Sequence, residues 1–298
     1  MRKKRFIHSE PSGEHIEFPV AGIQNRWKVA AVALTSILFA AALNPLAAEA
    51  NGDGPNNETS AVFDEQEPQV VFLINEDPDN YGAHQTIPPF AEMLQHDYAF
   101  QTTVISAEGE LPNIRFPDLE VLTEADLLVV FFRRAALPQG QLRVIKNYLN
   151  EGKPLVAIRT ANHGFAVRES DGDILNGYED WGDFVPDILG QENRGYGPAA
   201  LGTSVAVVPE VAEHPILEGF EPEKWQSTGN VYHIELLDKD ATVLLTGTAG
   251  DDVEPIAYTR KAGESKVFYT SLGYPEDFQV PQFRQLLING IHWALEED

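Results

Sequence analysis

The residues best suited to chemistry in this sequence follow short apolar runs, in segments that read as loops. Glu76 and Asp77 come directly after Gln69 to Ile74, and His163 comes shortly after Pro154 to Thr160. Two carboxylates suit acid/base work or the binding of sugar hydroxyls, and an imidazole titrates near neutral pH. The plainer interpretations are a solvated acidic turn and a histidine that caps a turn. We take His163 and Glu76 as candidate catalytic residues.

Cationic and aromatic side chains occupy the same kind of loop. Arg159 could pair with a substrate carboxylate or bridge internally to Glu76 or Asp77. Arg133 and Arg134 could bind an anion or form an ordinary surface pair. Aromatic faces combined with carboxylates and amides suit a polyhydroxylated ligand. The predicted ligand-binding residues are Asp77, Tyr81, Arg133, Arg159, Asn162, Tyr196, Tyr232, Tyr274 and Glu276.

The sequence gives little support for a metal or a cofactor. His84, His163, His214 and His233 lie far apart, with no HExxH or comparable short spacing. A divalent metal, as in a metal-dependent hydrolase, stays an open alternative. No Walker or Rossmann fingerprint appears, so we predict no nucleotide and no other cofactor. The chain has no cysteine, which excludes thiolate zinc sites, iron–sulfur clusters, disulfides and a cysteine nucleophile.

Composition narrows the class of partner. The chain has 298 residues, 43% of them hydrophobic, which is enough to bury a large core. Its formal net charge is −25, with a pI near 4.5. A nucleic-acid groove needs the opposite sign of charge to neutralise phosphates, so we exclude DNA and RNA. The charge identifies no partner, but the aromatic and carboxylate-rich loops suit a polyhydroxylated small molecule such as a small-molecule carbohydrate, and a homo-oligomer stays open.

Strands and helices alternate through the middle of the chain. Ala125 to Phe132 is apolar on both faces, as in a central parallel strand covered by helices. Pro138 to Asn150 has apolar residues at helical spacing, and Pro281 to Leu295 predicts a final helix. Pro88-Pro89 suits the first turn of another helix. This βαβ pattern predicts a doubly wound, mostly parallel α/β sheet with helices on both faces, in a single domain over residues 69–297.

Three further segments complete this picture. Pro255 to Thr259 and Lys266 to Ser271 predict a hairpin. Gly164 to Leu201 is long and irregular, a type of segment that usually belongs to a site. In open parallel sheets ligands bind at the carboxyl ends of the strands. We therefore expect the candidate residues to meet there.

The N-terminus has the order of an export signal. Arg26 and Lys28 precede the apolar run Val29 to Leu43, and Ala48-Glu49-Ala50 follows as a cleavage site. The apolar run is shorter than the roughly twenty residues of a membrane span, although a retained anchor is the alternative. We expect a signal peptide over residues 1–50, a polar linker over residues 51–68, and a periplasmic or extracellular protein.

Three segments resemble the ThuA-like (trehalose utilisation) family in order and spacing. They are Lys153 to Phe165, Ala257 to Phe278 and Phe283 to Leu295. The resemblance implies a flavodoxin-like core related to class I glutamine amidotransferases and a role in the utilisation of trehalose or related disaccharides. It suggests a sugar bound at the strand ends, with acid/base chemistry as one possible use.

The same resemblance shows two positions at which this chain differs from the glutamine amidotransferases. Arg159 occupies the position of the amidotransferase cysteine, and Tyr274 occupies that of the histidine before Pro275-Glu276. Many ThuA-like members also have a histidine at the Tyr274 position and a histidine-rich turn at Asn193 to Tyr196. Because attack on an amide needs a thiolate and a base, we predict no glutaminase activity. A non-catalytic ligand- or partner-binding module on the degenerate scaffold is the second hypothesis, and whether the chain is an enzyme stays open.

Overall fold

A large mixed sheet organises the part of the chain that this computed structural model describes, residues 67–221 and 225–296. Its helices are α1 Ala83–Tyr98, α2 Gln139–Asn150 and α3 Pro281–Leu295. Its strands are β1 Gln69–Ile74, β2 Gln101–Ser106, β3 Glu108–Glu110, β4 Asn113–Arg115, β5 Leu127–Phe131, β6 Leu137–Pro138, β7 Leu155–Ile158, β8 Tyr178–Glu179, β9 Gln191–Tyr196, β10 Thr203–Val207, β11 Gln226–Ser227, β12 Tyr232–Leu236, β13 Thr242–Ala249, β14 Asp252–Ala262 and β15 Ser265–Thr270.

The main sheet has nine strands within the described residues, in the order β11-β10-β13-β14-β15-β7-β5-β1-β2. The strands from β15 to β2 pair in parallel, and the pairs from β15 to β11 are antiparallel. Among the parallel strands the chain order is 2-1-3-4-5, the flavodoxin-like arrangement, whose switch point lies between β1 and β5. The predicted doubly wound α/β fold is confirmed.

Different helices cover the two faces of the sheet. Each face carries alternate residues of a strand, since successive side chains point to opposite faces. Val70 and Phe72 pack in one apolar cluster with α1 and α3, whereas Val71 and Leu73 pack in the other with α2. Every residue of β5 is buried, as expected for a strand covered on both sides. The core therefore lies in two layers, one on each face.

Helix α1 begins earlier than the sequence indicates. Pro88 and Pro89 were expected in its first turn, but the helix starts at Ala83 and both prolines lie inside it. Ala83 and Ile87 are fully buried against the sheet, so the packing of the first turns outweighs the helix-breaking tendency of proline. The predicted boundary was wrong by five residues, from Pro88 back to Ala83.

The second half of the chain is more regular than its sequence suggests. The predicted hairpin is present as β14 and β15 and is confirmed. Strands β10 and β13 extend the sheet from it, and no prediction covered either strand. Two smaller pairings accompany them: β9 with β12, in which Tyr196 lies opposite Tyr232, and β6 with β8. The β9–β12 pair brings the irregular middle segment over the strand ends.

The predicted signal peptide and most of the predicted linker lie outside the described residues, which begin at residue 67. Within those residues, no helix combines the length and the apolar character that crossing a membrane requires.

Candidate functional site

A cleft of about 1230 Å³ opens at the carboxyl ends of β1, β5 and β7, on either side of the switch point. The loops that form it follow strands of the parallel half, and the β9–β12 pair forms another wall. The chemically relevant lining residues are Asp77, Asp79, Tyr81, His84, Arg133, Arg134, Asn162, His163, Arg168, Gln191, Glu192, Asn193, Tyr196, Asn230, Tyr232 and Tyr274.

Buried amide hydrogen bonds hold the strand ends together beneath the cleft. Asn80, fully buried, donates to the carbonyl oxygens of Asn75 at 3.1 Å and Phe131 at 2.9 Å. Its side-chain oxygen accepts a hydrogen bond from Thr160 at 2.6 Å. One side chain therefore joins the loop after β1 to the ends of β5 and β7, and this fixes the loop that carries Asp77 and Tyr81.

Arg159, directly after β7, lies beneath the cleft and is only 1% exposed. Its guanidinium donates to the carbonyl oxygen of Ser271 at 2.6 Å and to the side-chain oxygen of Asn230 at 2.5 Å. The guanidinium carbon lies 4.1 Å from the ring centre of Tyr81, 4.6 Å from that of Tyr232 and 5.1 Å from that of Tyr274. We call Arg159, Asn230, Ser271 and these three tyrosines the floor.

The tyrosines of the floor contact one another as well as the arginine. Tyr232 donates its hydroxyl to that of Tyr81 at 3.2 Å, and the rings of Tyr81 and Tyr274 lie 5.2 Å apart. Burial raises the pKa of Tyr232 well above its ordinary value, although Arg159 acts in the opposite direction. Tyr232 therefore stays a neutral phenol at physiological pH, and all three rings also line the cleft.

Asp277 supports the floor from behind. It is 1% exposed, and one of its oxygens accepts hydrogen bonds from Ser227 Oγ at 2.9 Å and from the backbone amides of Gly273 at 3.0 Å and Tyr274 at 2.9 Å. Burial raises the pKa of this carboxyl, while the hydrogen bonds and Arg159 lower it. Its contacts fix the backbone that places Tyr274 in the cleft.

His163 lies half-buried in the cleft wall. Its Nδ1 lies 2.5 Å from Asn162 Oδ1 and 3.3 Å from Asn193 Nδ2. A proton on Nδ1, donated to Asn162, leaves a lone pair on Nε2, which makes no hydrogen bond within residues 67–221 and 225–296. Burial, and then the charges of Arg134, Arg133, Arg168 and Arg159, hold the pKa of His163 well below its ordinary range. The imidazole is therefore a neutral base at pH 7.

Three arginines surround the cleft above the floor, and with Asp171 we call them the rim. Arg133 pairs with Asp77 at 3.3 Å and with Asp79 at 2.7 Å. Arg168 makes several hydrogen bonds to Asp171, the shortest at 2.8 Å. The nearest carboxylate to Arg134 is that of Asp171, at 4.0 Å. Three carboxylates therefore match the three arginines, but Arg134 approaches none of them more closely than 4.0 Å.

Backbone strain is also concentrated here. Tyr81, Arg134 and Arg159 adopt φ angles of 51°, 50° and 44°, in the left-handed region that residues with a Cβ atom rarely occupy. Each lies shortly after a strand of the parallel half. Such conformations persist where the surroundings enforce them, and they occur preferentially at functional sites.

The structure brings together most of the predicted site residues. Eight of them line the cleft: Asp77, Tyr81, Arg133, Asn162, His163, Tyr196, Tyr232 and Tyr274. The other three do not line it. Glu76 is exposed, 3.9 Å from His84, and Glu276 is exposed and accepts a hydrogen bond from Thr228 at 3.2 Å. Arg159 is covered by the tyrosines and pairs with neither Glu76 nor Asp77, contrary to the bridge we considered, because Ser271 and Asn230 take its hydrogen bonds.

Several residues of the site carry no strong sequence signal. Arg168, Asn193, Asn230 and Asp277 belong to irregular segments, and only their proximity to His163, Tyr196, Tyr232 and Tyr274 in the chain singles them out. Among the described residues, no group of three or more His, Asp or Glu side chains is arranged to hold a metal ion.

The comparisons with known proteins agree with this architecture. A family model named ThuA, described as trehalose utilisation, matches residues 70–294. The chain is similar to a ThuA-like protein of Bacteroides uniformis ATCC 8492, with 14% identity, a TM-score of 0.56, and coverage of 78% of this chain and 94% of that one. A ThuA-like protein of Parabacteroides merdae ATCC 43184 gives 14% identity, a TM-score of 0.53, and coverage of 77% and 90%. At this identity the structural likeness shows the fold alone. No curated protein matches the chain.

Proposed function

The chain belongs to the ThuA family of trehalose utilisation, and from that premise we propose that its cleft binds a disaccharide or related glycoside. The observation that carries this proposal is the lining of the cleft, in which four tyrosines lie among amide and carboxylate side chains. Tyrosine rings offer flat apolar faces for a sugar ring, and the polar groups offer partners for its hydroxyls. The volume of about 1230 Å³ exceeds what a monosaccharide needs.

Tyr196 offers the most direct test of sugar binding. Its side chain is 71% exposed and lines the cleft, so its loss should affect a bound ligand more than the fold. We expect Tyr196→Ala to weaken disaccharide binding about threefold to tenfold, measured by calorimetry on the full chain with trehalose and a panel of glycosides. Val253→Ala is the matched control, because Val253 is 63% exposed and does not line the cleft. Absence of binding to every sugar in the panel, with a folded wild-type chain, would reject the proposal.

His163 is the group best placed for acid/base chemistry on the bound sugar. The carboxylate proposed to accompany it, Glu76, lies outside the cleft lining, so the acidic groups that could act with His163 are those of the lining, Asp77, Asp79 and Glu192. Its neutral imidazole with an available Nε2 fits a general base. If it has this role, His163→Gln abolishes release of product from the bound sugar and preserves binding.

A non-catalytic binding module is the second candidate function. One observation favours it: Arg159, at the position that the resemblance assigns to the amidotransferase nucleophile, donates hydrogen bonds to Ser271 and Asn230 and is covered by tyrosines. Sugar binding without product release from any panel member, in the wild type and in His163→Gln alike, would support this module. Product release that depends on His163 would contradict it.

We also propose that the protein is exported. Support comes from the basic residues Arg26 and Lys28, the apolar run Val29 to Leu43 and the Ala48-Glu49-Ala50 sequence. Mass spectrometry of the intact protein from each cell fraction tests this. A chain that begins at Asn51 in an exported fraction supports cleavage, and an uncleaved chain in membranes supports the anchor. An uncleaved chain in the cytoplasm contradicts export.

A further inference from the structure

Arg134 differs from the other arginines of the cleft in its bonding. Within residues 67–221 and 225–296, its guanidinium makes no hydrogen bond, whereas those of Arg133, Arg159 and Arg168 each make at least one. Its backbone is held in place: the amide of Arg134 donates to the carbonyl oxygen of His163 at 3.0 Å, and the next amide donates to that of Gly164 at 2.7 Å. The strained φ of 50° therefore belongs to a fixed loop that presents an arginine with unused donors to the cleft.

The carboxylates near Arg134 do not neutralise it. Asp77 and Asp79 pair with Arg133. Asp171 is engaged by both Nε and Nη2 of Arg168, and its approach to Arg134 is no closer than 4.0 Å. Arg134 and Arg168 thus share one carboxylate whereas Arg133 takes two, so Arg134 is the arginine of the three without a close carboxylate partner. Burial and the neighbouring Arg168 lower the pKa of Arg134, in keeping with a desolvated, like-charged environment.

An arginine without a close carboxylate and with unbonded N–H groups is suited to bind an oxyanion, because the guanidinium fork matches a carboxylate or a phosphate. The rim lies above the tyrosines of the proposed sugar site, in the same cavity. We propose that the physiological ligand is an acidic sugar, one that bears a carboxylate or a phosphate, and that Arg134 and Arg168 bind its anionic group. This inference rests on the proposed function of the cleft and specifies its substrate class.

The charge of the whole chain limits the range over which these arginines can act. A net charge of −25 repels anionic ligands at long range, so the protein as a whole does not attract them. The arginines of the rim therefore act locally, at contact distance. A neutral sugar would leave the N–H groups of Arg134 to water, whereas an acidic sugar satisfies them within the cleft.

The test compares matched neutral and acidic sugars by titration calorimetry on the full chain at low ionic strength. The probes are cellobiose with cellobionate, which carries a carboxylate, and trehalose with trehalose 6-phosphate. We expect the wild type to bind the acidic member of at least one pair about tenfold to hundredfold more tightly, as is usual for charge-assisted hydrogen bonds. The pair that shows the preference identifies the anionic group.

Three variants locate the effect. Arg134→Gln should weaken binding of the acidic sugar far more than binding of the neutral sugar, and so remove the preference. Arg134→Lys should retain part of the preference, because it keeps the charge and loses the fork. Arg168→Gln, a change at a half-exposed side chain, should also reduce the preference. Arg115→Gln is the control, since Arg115 pairs with Glu108 and does not line the cleft.

The outcomes separate this inference from the proposed function. Equal binding of neutral and acidic sugars, or a preference that survives Arg134→Gln, overturns the acidic ligand and leaves sugar binding intact. If neither class of sugar binds to the folded wild type, the proposed function fails and the acidic sugar fails with it. Melting curves of each variant establish that the chain is folded before titration.

Discussion

The floor and the rim of the cleft both depend on arginines, but they use them in opposite ways. Arg159 in the floor is 1% exposed, with hydrogen bonds to Ser271 and Asn230 and contacts to three tyrosine rings. Arg134 in the rim has no hydrogen bond from its guanidinium within the described residues. A buried cation that donates to protein acceptors and is covered by aromatic rings stabilises the fold, whereas one whose guanidinium makes no hydrogen bond and lines a cleft is available to a ligand. Burial alone therefore does not indicate which arginine binds substrate.

The largest effect should follow removal of the arginine of the floor. Arg159→Ala leaves a cavity, strips two buried acceptors of their donor and removes the cation from among three rings. We expect it to lower the free energy of unfolding by about 3 to 5 kcal/mol, measured by urea denaturation. The exposed control Arg115→Ala should change it by less than about 0.5 kcal/mol. Similar stability of Arg159→Ala and the wild type would remove the contrast between floor and rim.

Asp277→Asn tests how the floor is supported, through the pH dependence of stability. Burial raises the pKa of Asp277 in the folded protein, so the folded state holds this proton more tightly than the unfolded state. Its contribution to stability therefore decreases as pH rises above the ordinary value of 3.8.

We expect Asp277→Asn to cost about 1 to 3 kcal/mol at acidic pH, and the cost to shrink towards neutral pH. Urea denaturation of both proteins across this pH range measures the difference. A cost that grows with pH would indicate that Arg159 and the three hydrogen bonds dominate over burial.

His163 connects the two regions, and its titration should report on the rim. Because its pKa is lowered in the folded protein, the unfolded state takes up the proton first as pH falls below 6.5. The wild type should therefore lose stability relative to His163→Gln on acidification through that range. Proton NMR of the imidazole checks the same shift directly. An imidazole that titrates at its ordinary pKa would contradict its burial beside the arginines of the cleft.

The smallest effect on stability should come from the rim. Arg134→Gln removes no hydrogen bond of the described residues and keeps the same backbone strain, so we expect a change below about 1 kcal/mol in the free energy of unfolding. Measured beside Arg159→Ala under the same conditions, this variant completes the comparison. A loss above about 2 kcal/mol would mean that Arg134 is structural, as Arg159 is.

The fold was largely predictable from the sequence because its central elements have strong local patterns. Leu127–Phe131 is apolar throughout, and Pro281–Leu295 has one apolar face, so β5 and α3 follow from hydrophobic periodicity. The start of α1 and the strands β10 and β13 were not predicted. The start of α1 depends on the packing of Ala83 against the sheet, and β10 and β13 form by pairing between segments that are distant in the chain.

For the site, the sequence alone determined the class of residue and the edge of the sheet. Loops after parallel strands converge at the carboxyl ends, which is why Asp77, Arg133 and His163 meet. The tertiary structure alone decided which arginine is covered and which is open, since that depends on Tyr81, Tyr232 and Tyr274 arriving from three separate segments. Which N–H groups of an arginine find acceptors depends on such long-range contacts, and no local pattern in the chain encodes this.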